Sequence, residues 1–402
     1  MRSRLPLVFL LLTVTIDSMG IGLILPVMPD LIREVDGGTL AEAAVWGGIL
    51  TTSFAVMQFL FGPLLGSLSD RFGRRPVLLI SLGVLAADYL VMALAGSIWL
   101  LLVGRIVGGV AAATQSTAAA YMADISRPED KAARFGLIGA AFGIGFVLGP
   151  LIGGLLAEWG TRAPFYAAAA LAAANLVFGW AILPETVTDR IRRPFSWSAA
   201  NPLGALLRLN ALPGVGRLLA LFFVYQVAFF VYPAVWAYYT QARFGWGPGM
   251  IGASLAAFGI SMALVQGGLI RVILRLLGDR GTVIYGLTFN ACAFLALGLV
   301  RDGTVALILT PLTALGAVVT PAVQGMMSRT APDDSQGMLQ GLLASAGALA
   351  MIVSPLLMTA TFAAFTRPGA AVHHPGAPFL LSMGLMGVCG LIFLARRGPA
   401  AA

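Results

Sequence analysis

The chain has 402 residues, of which 59% are hydrophobic and only 10% charged, and its mean hydropathy is +0.91. Soluble domains carry roughly 25% charged residues, so a water-soluble globular fold is excluded. The net charge of +8 raises nucleic acid as a partner, but the cations are scattered among short loops with no basic stripe and no interleaved aromatics, which excludes nucleic acid as well.

Twelve apolar stretches follow in chain order, near 5–29, 43–65, 76–95, 97–123, 135–157, 163–183, 216–240, 248–274, 283–300, 304–327, 337–362 and 378–395. A hydrocarbon core of ~30 Å needs ~20 residues of helix, so the pattern predicts an all-α membrane protein with twelve transmembrane helices. The first stretch is long, carries Asp17 in its middle and shows no small-x-small cleavage site before Pro26, and is read as a retained helix rather than a signal peptide. The longest connection, rich in Arg and Pro, divides the spans six and six. It predicts an N-terminal six-helix bundle over 1–183, a cytoplasmic linker over 184–215 and a C-terminal six-helix bundle over 216–402. Cys292 and Cys389 fall inside spans and are expected to pack as small apolar residues. The adjacent His373 and His374 fall in a loop with no further ligand nearby and are read as solvated rather than metal-binding.

Nineteen of the 25 Lys and Arg fall on alternate loops, the other loops holding only Arg33, Arg162, Arg243, Arg301 and Arg367. By the positive-inside rule the arginine-rich side, with both termini, is expected in the cytoplasm. Arg105 belongs to neither set, because it lies inside the fourth span.

Charge inside a membrane is costly unless paired or wetted, which singles out Asp17, Asp88 and Arg105. At ~1.5 Å per residue all three stand about 18 Å from the cytoplasmic side and can share one layer. Two readings stand: a static ion triad locking helices 1, 3 and 4, or a proton- or substrate-handling site. Burial and a neighbouring guanidinium act oppositely on a carboxyl's hold on its proton, so movement of Arg105 or arrival of a substrate can shift protonation. No acid lies mid-span in the second half, which makes the first half the expected proton-handling half.

Three further patterns carry candidate function. Between spans 2 and 3, Gly66, Asp70, Arg71, Gly73, Arg74 and Arg75 form a cationic turn: Gly66 allows close helix approach, Asp70 ends a helix and Gly73 permits the reversal before Pro76. Helix 5 carries Gly145, Gly149, Pro150, Gly153 and Gly154, a smooth, kinkable packing face rather than a dinucleotide fingerprint, since Leu148 stands at the third glycine position and no strand precedes it. Helix 7 is rich in aromatics; Tyr225, Gln226 and Phe229 at its middle, with Gln324 in helix 10, can line a cavity, core packing being the competing reading. No zinc-ligand helix, no serine with a recognisable base and no phosphate-binding loop occurs, so neither an enzyme nor an ATP-driven pump is expected.

The turn from Gly66 to Val77 resembles the loop motif between helices 2 and 3 of the major facilitator superfamily. Gly149-Pro150-x-x-Gly153-Gly154 resembles the helix 5 motif of its drug/proton antiporters. Asp17-Ser-Met-Gly-Ile-Gly-Leu, Leu25-Pro26-Val27-Met28-Pro29, Asp88-Tyr89, Arg243-Phe244-Gly245-Trp246, Pro321-Ala322-Val323-Gln324-Gly325 and Gln336-Gly337-x-x-Gln340-Gly341-Leu342 are similar to the tetracycline/proton antiporter family along most of the chain. The resemblance implies the major facilitator fold and a multi-pass exporter of the bacterial inner membrane that exchanges an inward proton for an outward tetracycline-like or other amphipathic drug. It implies no cofactor beyond the proton as coupling ion, no partner beyond a small amphipathic substrate and the lipid bilayer, and a working monomer. The alternative is a symporter or uniporter for an unrelated small metabolite. It further places Asp17, Asp70, Asp88 and Arg105 at functional positions. Two departures stand out: where exporters of this kind carry a histidine in helix 8 and an aspartate in helix 9, this chain has Met262 and Asn290. Both are expected ~10 Å from the cytoplasmic side as substrate contacts that cannot titrate.

Overall fold

The structure, a computed structural model, describes residues 5–112, 114–188, 214–332 and 335–395 and, between the two halves, residues 201, 202, 204 and 212. The terminal arginines and most of the basic linker, including Arg190, Arg192, Arg193 and Arg208, lie outside the described residues. Among the described residues the chain is helical throughout: α1 (Leu5–Ile24), α2 (Met28–Asp36), α3 (Leu40–Phe72), α4 (Arg74–Leu94), α5 (Ile98–Ala111), α6 (Thr114–Ile125), α7 (Lys131–Leu156), α8 (Ala163–Ile182), α9 (Gly216–Phe229), α10 (Val231–Phe244), α11 (Pro248–Leu264), α12 (Ile270–Leu299), α13 (Gly303–Thr313), α14 (Val319–Thr330), α15 (Gln336–Thr366) and α16 (Ala377–Leu394).

Among the described residues, eleven helical stretches are long and apolar enough to cross a membrane. One of them runs 52 residues, Pro248–Leu299, which is about 78 Å at 1.5 Å per residue and far longer than one crossing needs. Gly278, at φ 64° and ψ 177°, breaks it into two, so twelve crossings result. In span order these are α1, α3, α4, α5 with α6, α7, α8, α9 with α10, α11 up to Gly278, the rest of α12, α13 with α14, α15, and α16.

Helix starts on the side opposite the arginines follow local chemistry. Thr39 and Glu42 form a capping box at α3, while Ser97 caps α5 and Asp302 caps α13. Within the membrane, spans 4, 7 and 10 are interrupted after Ala111, at Phe230 and at Ala314–Gly316, and span 8 carries a π turn at Val265–Leu269. Carbonyls left open at such places need a donor. Gln58 of α3 donates to the Ala112 carbonyl at 3.4 Å, Ser354 of α15 to Val227 at 2.7 Å in the last turn of α9, and Asn290 of α12 to Gly316 at 2.8 Å.

The two halves meet where α3 runs along α15 and α7 along α11. Away from the arginine-rich side this seam is tight. The Thr52 hydroxyl donates to the Ile352 carbonyl at 3.0 Å, Gln241 donates to Asp30 at 2.8 Å, and Gly47 and Gly48 receive Tyr238 and Thr359. One apolar core is continuous across it, from Leu31, Ile32 and Leu50 to Tyr238, Phe362 and Phe379. Towards the arginines the first half keeps its own core, around Phe9, Leu82, Tyr121 and Met122. Here Gly62, Gly66, Gly136, Gly139, Gly267, Gly268 and Gly337 face open space within 4 Å. A cavity of about 220 Å³ separates Phe59 and Pro63 from Ala344 and Ala348. Gly66, expected to receive a neighbouring helix, therefore receives none in this state. Cys389 is buried as expected, whereas Cys292 is exposed, its helix turning that side away from the core.

A methyl group at Gly252 would collide with the backbone carbonyl of Pro150 across the α7–α11 seam, and backbone cannot swing aside as a side chain can. Gly252→Ala is therefore expected to loosen the tight end of the seam. The check is maleimide labelling of a cysteine at Thr52, which is buried in the seam: labelling should accelerate in the Gly252→Ala background relative to Thr52→Cys alone.

Candidate transport site

Asp88 of α4 and Arg105 of α5 are 3% and 9% exposed, and their charged atoms meet at 3.2 Å. The sequence builds room for them. Methyl groups at Gly104 and Gly108 would stand 2.9 Å and 2.6 Å from the Asp88 oxygens, so only glycine admits the carboxylate against α5. Phe54 of α3 lies under the guanidinium, 4.1 Å from ring centroid to Cζ, adding a cation–π contact. Asp88 Oδ1 and Arg105 Nε remain buried without hydrogen-bond partners among the described residues. The pair is thus held by geometry but incompletely satisfied, a poised arrangement rather than a saturated one.

Asp17 is half-buried in α1 and makes no ion pair or hydrogen bond among the described residues. The layer expected as a triad is therefore a pair plus a separate acid, which removes the reading of a three-helix ionic lock. One turn along α1, Gly20 packs against the Tyr89 hydroxyl, so α1 and α4 still meet beside the two acids.

The loop motif forms a network of its own. Gly73 takes φ 115°, a backbone that disfavours any side chain, and turns α3 into α4. Arg74 bridges Asp70 at 2.5 Å, Asp124 at the end of α6 at 3.3 Å and Ser69 Oγ at 3.2 Å. Arg75 donates to the Trp180 carbonyl at 2.8 Å, while Arg71 lies over Phe72 at 5.1 Å. Asp124 escaped the sequence reading; its only signal is an acid at the end of an apolar span.

Span 5, α7, presents two glycine faces. Gly145, Gly149 and Gly153, four residues apart, lie against Thr15, Ser18, Met19 and Leu23 of α1, the Met19 carbonyl standing 2.5 Å from a methyl built at Gly149. Pro150 meets Gly22 on α1, and its carbonyl meets Gly252 on α11; Gly154 lies against Pro248 and Gly249. The motif is the common wall between span 1 and span 8.

In the second half, Tyr225 and Asn290 come together, with Asn290 Nδ2 donating to the Tyr225 hydroxyl at 3.2 Å as well as to the Gly316 carbonyl. Tyr225 stacks on Phe229 at 5.6 Å, and Thr320 donates to Gln226 at 3.2 Å. Met262 packs half-buried against the core, and Gln324 is half-buried on α14. Asn290 is 0% exposed. Expected from its depth to be a substrate contact, it is not an open one in this state, because the interruption of span 10 claims its amide.

Two outcomes follow. Removing one partner of a buried ion pair costs about 3–5 kcal/mol, whereas removing both can approach neutrality. Arg105→Met should therefore lower thermal stability in detergent more than Arg105→Met with Asp88→Asn, as a double-mutant cycle read by unfolding would show. Asn290→Ala leaves the Gly316 carbonyl without its donor, at about 1–3 kcal/mol; Asn290→Gln should recover part of that loss in the same unfolding measurement.

The profile of the Major Facilitator Superfamily matches residues 10–355. The chain is 42% identical over 364 residues to the class C tetracycline resistance protein of Escherichia coli, covering 90% of this chain and 91% of that protein. It is 39% identical over 359 residues to the class G protein of Vibrio anguillarum, with 88% and 89% covered. Among solved structures, that of the human organic anion transporter MFSD10 (TETRAN) aligns with a TM-score of 0.71 at 26% identity, over 98% of this chain and 100% of that one. A bacterial homologue of the human lysosomal transporter Spinster shares the fold, with a TM-score of 0.80 at 16% identity over 98% of each chain. The two-bundle helical architecture, the loop motif and this coverage agree, and the chain belongs to the major facilitator superfamily and, within it, to the family of the tetracycline resistance proteins.

Proposed function

We propose that this transporter, which is not an enzyme, exports tetracycline-like or other amphipathic compounds in exchange for protons by alternating access. The reading is carried by one observation: a buried, incompletely satisfied Asp88–Arg105 pair with an unpaired acid, Asp17, on the adjacent span, in a chain whose relatives are named for resistance to tetracycline. Protonating Asp88 removes one of two opposed buried charges and frees Arg105 to move, so proton occupancy changes which arrangement of spans 1, 3 and 4 is favoured. Asp17, open to a second charge state without a competing cation in contact, supplies the other site. The tight seam on one side and the unfilled glycine faces on the other support a state open towards the arginines.

The arginine count supports placing that open side, and both termini, in the cytoplasm of a bacterium with the chain in its inner membrane. The working unit is proposed to be a monomer. Tyr225, Gln226, Phe229, Met262, Asn290 and Gln324 are the proposed substrate side. A loosened span 10 would release Asn290 towards a ligand, and its amide can hydrogen-bond one without releasing a proton. Asp70, held by Arg74 in this state, is the proposed gate residue for the opposite one, where the N-terminus of α15 offers a positive helix end.

The test uses proteoliposomes with an imposed pH gradient and tetracycline as probe. Asp17→Asn or Asp88→Asn, whichever removes the coupling acid, is expected to abolish uphill accumulation while leaving downhill exchange measurable. Gradient-driven transport at the wild-type level by both variants would overturn proton coupling through these acids.

A further inference from the structure

The reversal at Gly73 leaves a structural debt. The turn needs a positive φ, so the residue preceding α4 has no side chain, and the first N–H groups of that helix have no cap from their own strand of sequence. Glu185, just past the end of α8, fills the role from 110 residues away. Its Oε2 accepts the Arg75 N–H at 3.1 Å and its Oε1 the Arg74 N–H at 2.9 Å. Oε1 also accepts the N–H groups of Thr186 and Val187, each at 2.9 Å. The carboxylate occupies the space where a side chain on residue 73 would stand, so glycine there serves both the turn and the cap. Around it, Tyr121 donates to the Pro184 carbonyl at 2.6 Å, and the Thr186 hydroxyl donates to the same Asp124 oxygen that Arg74 engages, at 3.0 Å.

We infer that Glu185 is a positioning residue of the loop between spans 2 and 3, fixing the start of α4 so that the Arg74 guanidinium stays between Asp70 and Asp124, and tying the first residues of the inter-bundle linker to that loop. A negative group at a helix N-terminus, accepting several backbone N–H groups, is favoured both by the hydrogen bonds and by the helix dipole. Glu185 is exposed, and an exposed charge contributes little to global stability. Its removal therefore acts on the placement of Arg74, and through it on the rate of exchange between states, more than on the fold. This role rests on the transporter reading, since the loop matters only if the two halves move.

The experiment compares the full chain with Glu185→Ala, Glu185→Gln and Glu185→Asp in proteoliposomes, with tetracycline flux and, separately, maleimide labelling of a cysteine at the exposed Phe72. Glu185→Ala is expected to lower the maximal rate about fivefold with little change in KM, the signature of a lost rate-determining contact rather than lost binding. Glu185→Gln should recover part of the rate, since one carbonyl oxygen still accepts while its NH₂ confronts an N–H. Glu185→Asp, too short to reach both N–H groups, should not. Phe72→Cys labelling should change in the Glu185→Ala background without any substrate. Should Glu185→Ala give poor yield, Glu185→Gln carries both measurements. A wild-type maximal rate with unchanged labelling would overturn the assignment. If no variant, the parent included, moves tetracycline, tetracycline is removed as a substrate of the exporter while the labelling still decides the role of Glu185.

Discussion

Lipid offers no partner to a backbone carbonyl, and at three places where this chain breaks its helices inside the membrane a donor from another helix answers the released carbonyl. Gln58 serves the interruption in span 4, Ser354 the end of α9 and Asn290 the interruption in span 10. The donors come from different spans, but the physical solution is the same: a short polar side chain reaches a carbonyl that the helix has released. These bends allow a transport protein to change shape, because a straight helix would have no soft point. They also commit polar residues that would otherwise be free for a ligand, as the burial of Asn290 shows.

Glycine does the complementary work. Where helices must touch backbone to backbone, as along Gly145, Gly149 and Gly153 against α1, any side chain would force them apart. The same residue type admits the Asp88 carboxylate beside Gly104 and Gly108 and lets Tyr238 and Thr359 close on Gly47 and Gly48. Along the seam, filled glycines such as Gly47, Gly48 and Gly252 mark the sealed end and unfilled ones such as Gly62, Gly66 and Gly267 the parted end.

The spans, the break between the stretches 248–274 and 283–300, the turn at Gly73 and the identity of the buried charges could be read from sequence because each is local: an apolar run and its end, a glycine at a reversal, an ion among apolar residues. The relation of Asp17 to the pair could not. Depth along a helix follows from counting residues at 1.5 Å each, but which side chains meet depends on rotation about the helix axis, which three different helices set independently. Asn290 was legible as an amide within a span, expected as a substrate contact, while its true partner depends on an interruption in another span. Asp124 and Glu185 were missed for a related reason. Their partners are Arg74 and Arg75, distant in sequence, and a lone acid at a helix end gives no sign of the helix start it will serve.

Among the described residues the mid-membrane acids and their arginine, Asp17, Asp88 and Arg105, lie in the first half, whereas the stacked aromatics Tyr225 and Phe229 and the amides Gln226 and Asn290 lie in the second. Under the exporter reading, a change of charge in one half must therefore alter binding in the other across the seam, and α7 is placed to carry it. Gly145 of α7 lies against Ser18, the residue following Asp17, while the Pro150 carbonyl lies against Gly252 of α11. With only glycine on one side of each contact, a displacement of α1 on a change of charge at Asp17 would have little room to dissipate within α7. It passes to α11, whose π turn at Val265–Leu269 lies beyond the packed face and gives that helix a place to bend.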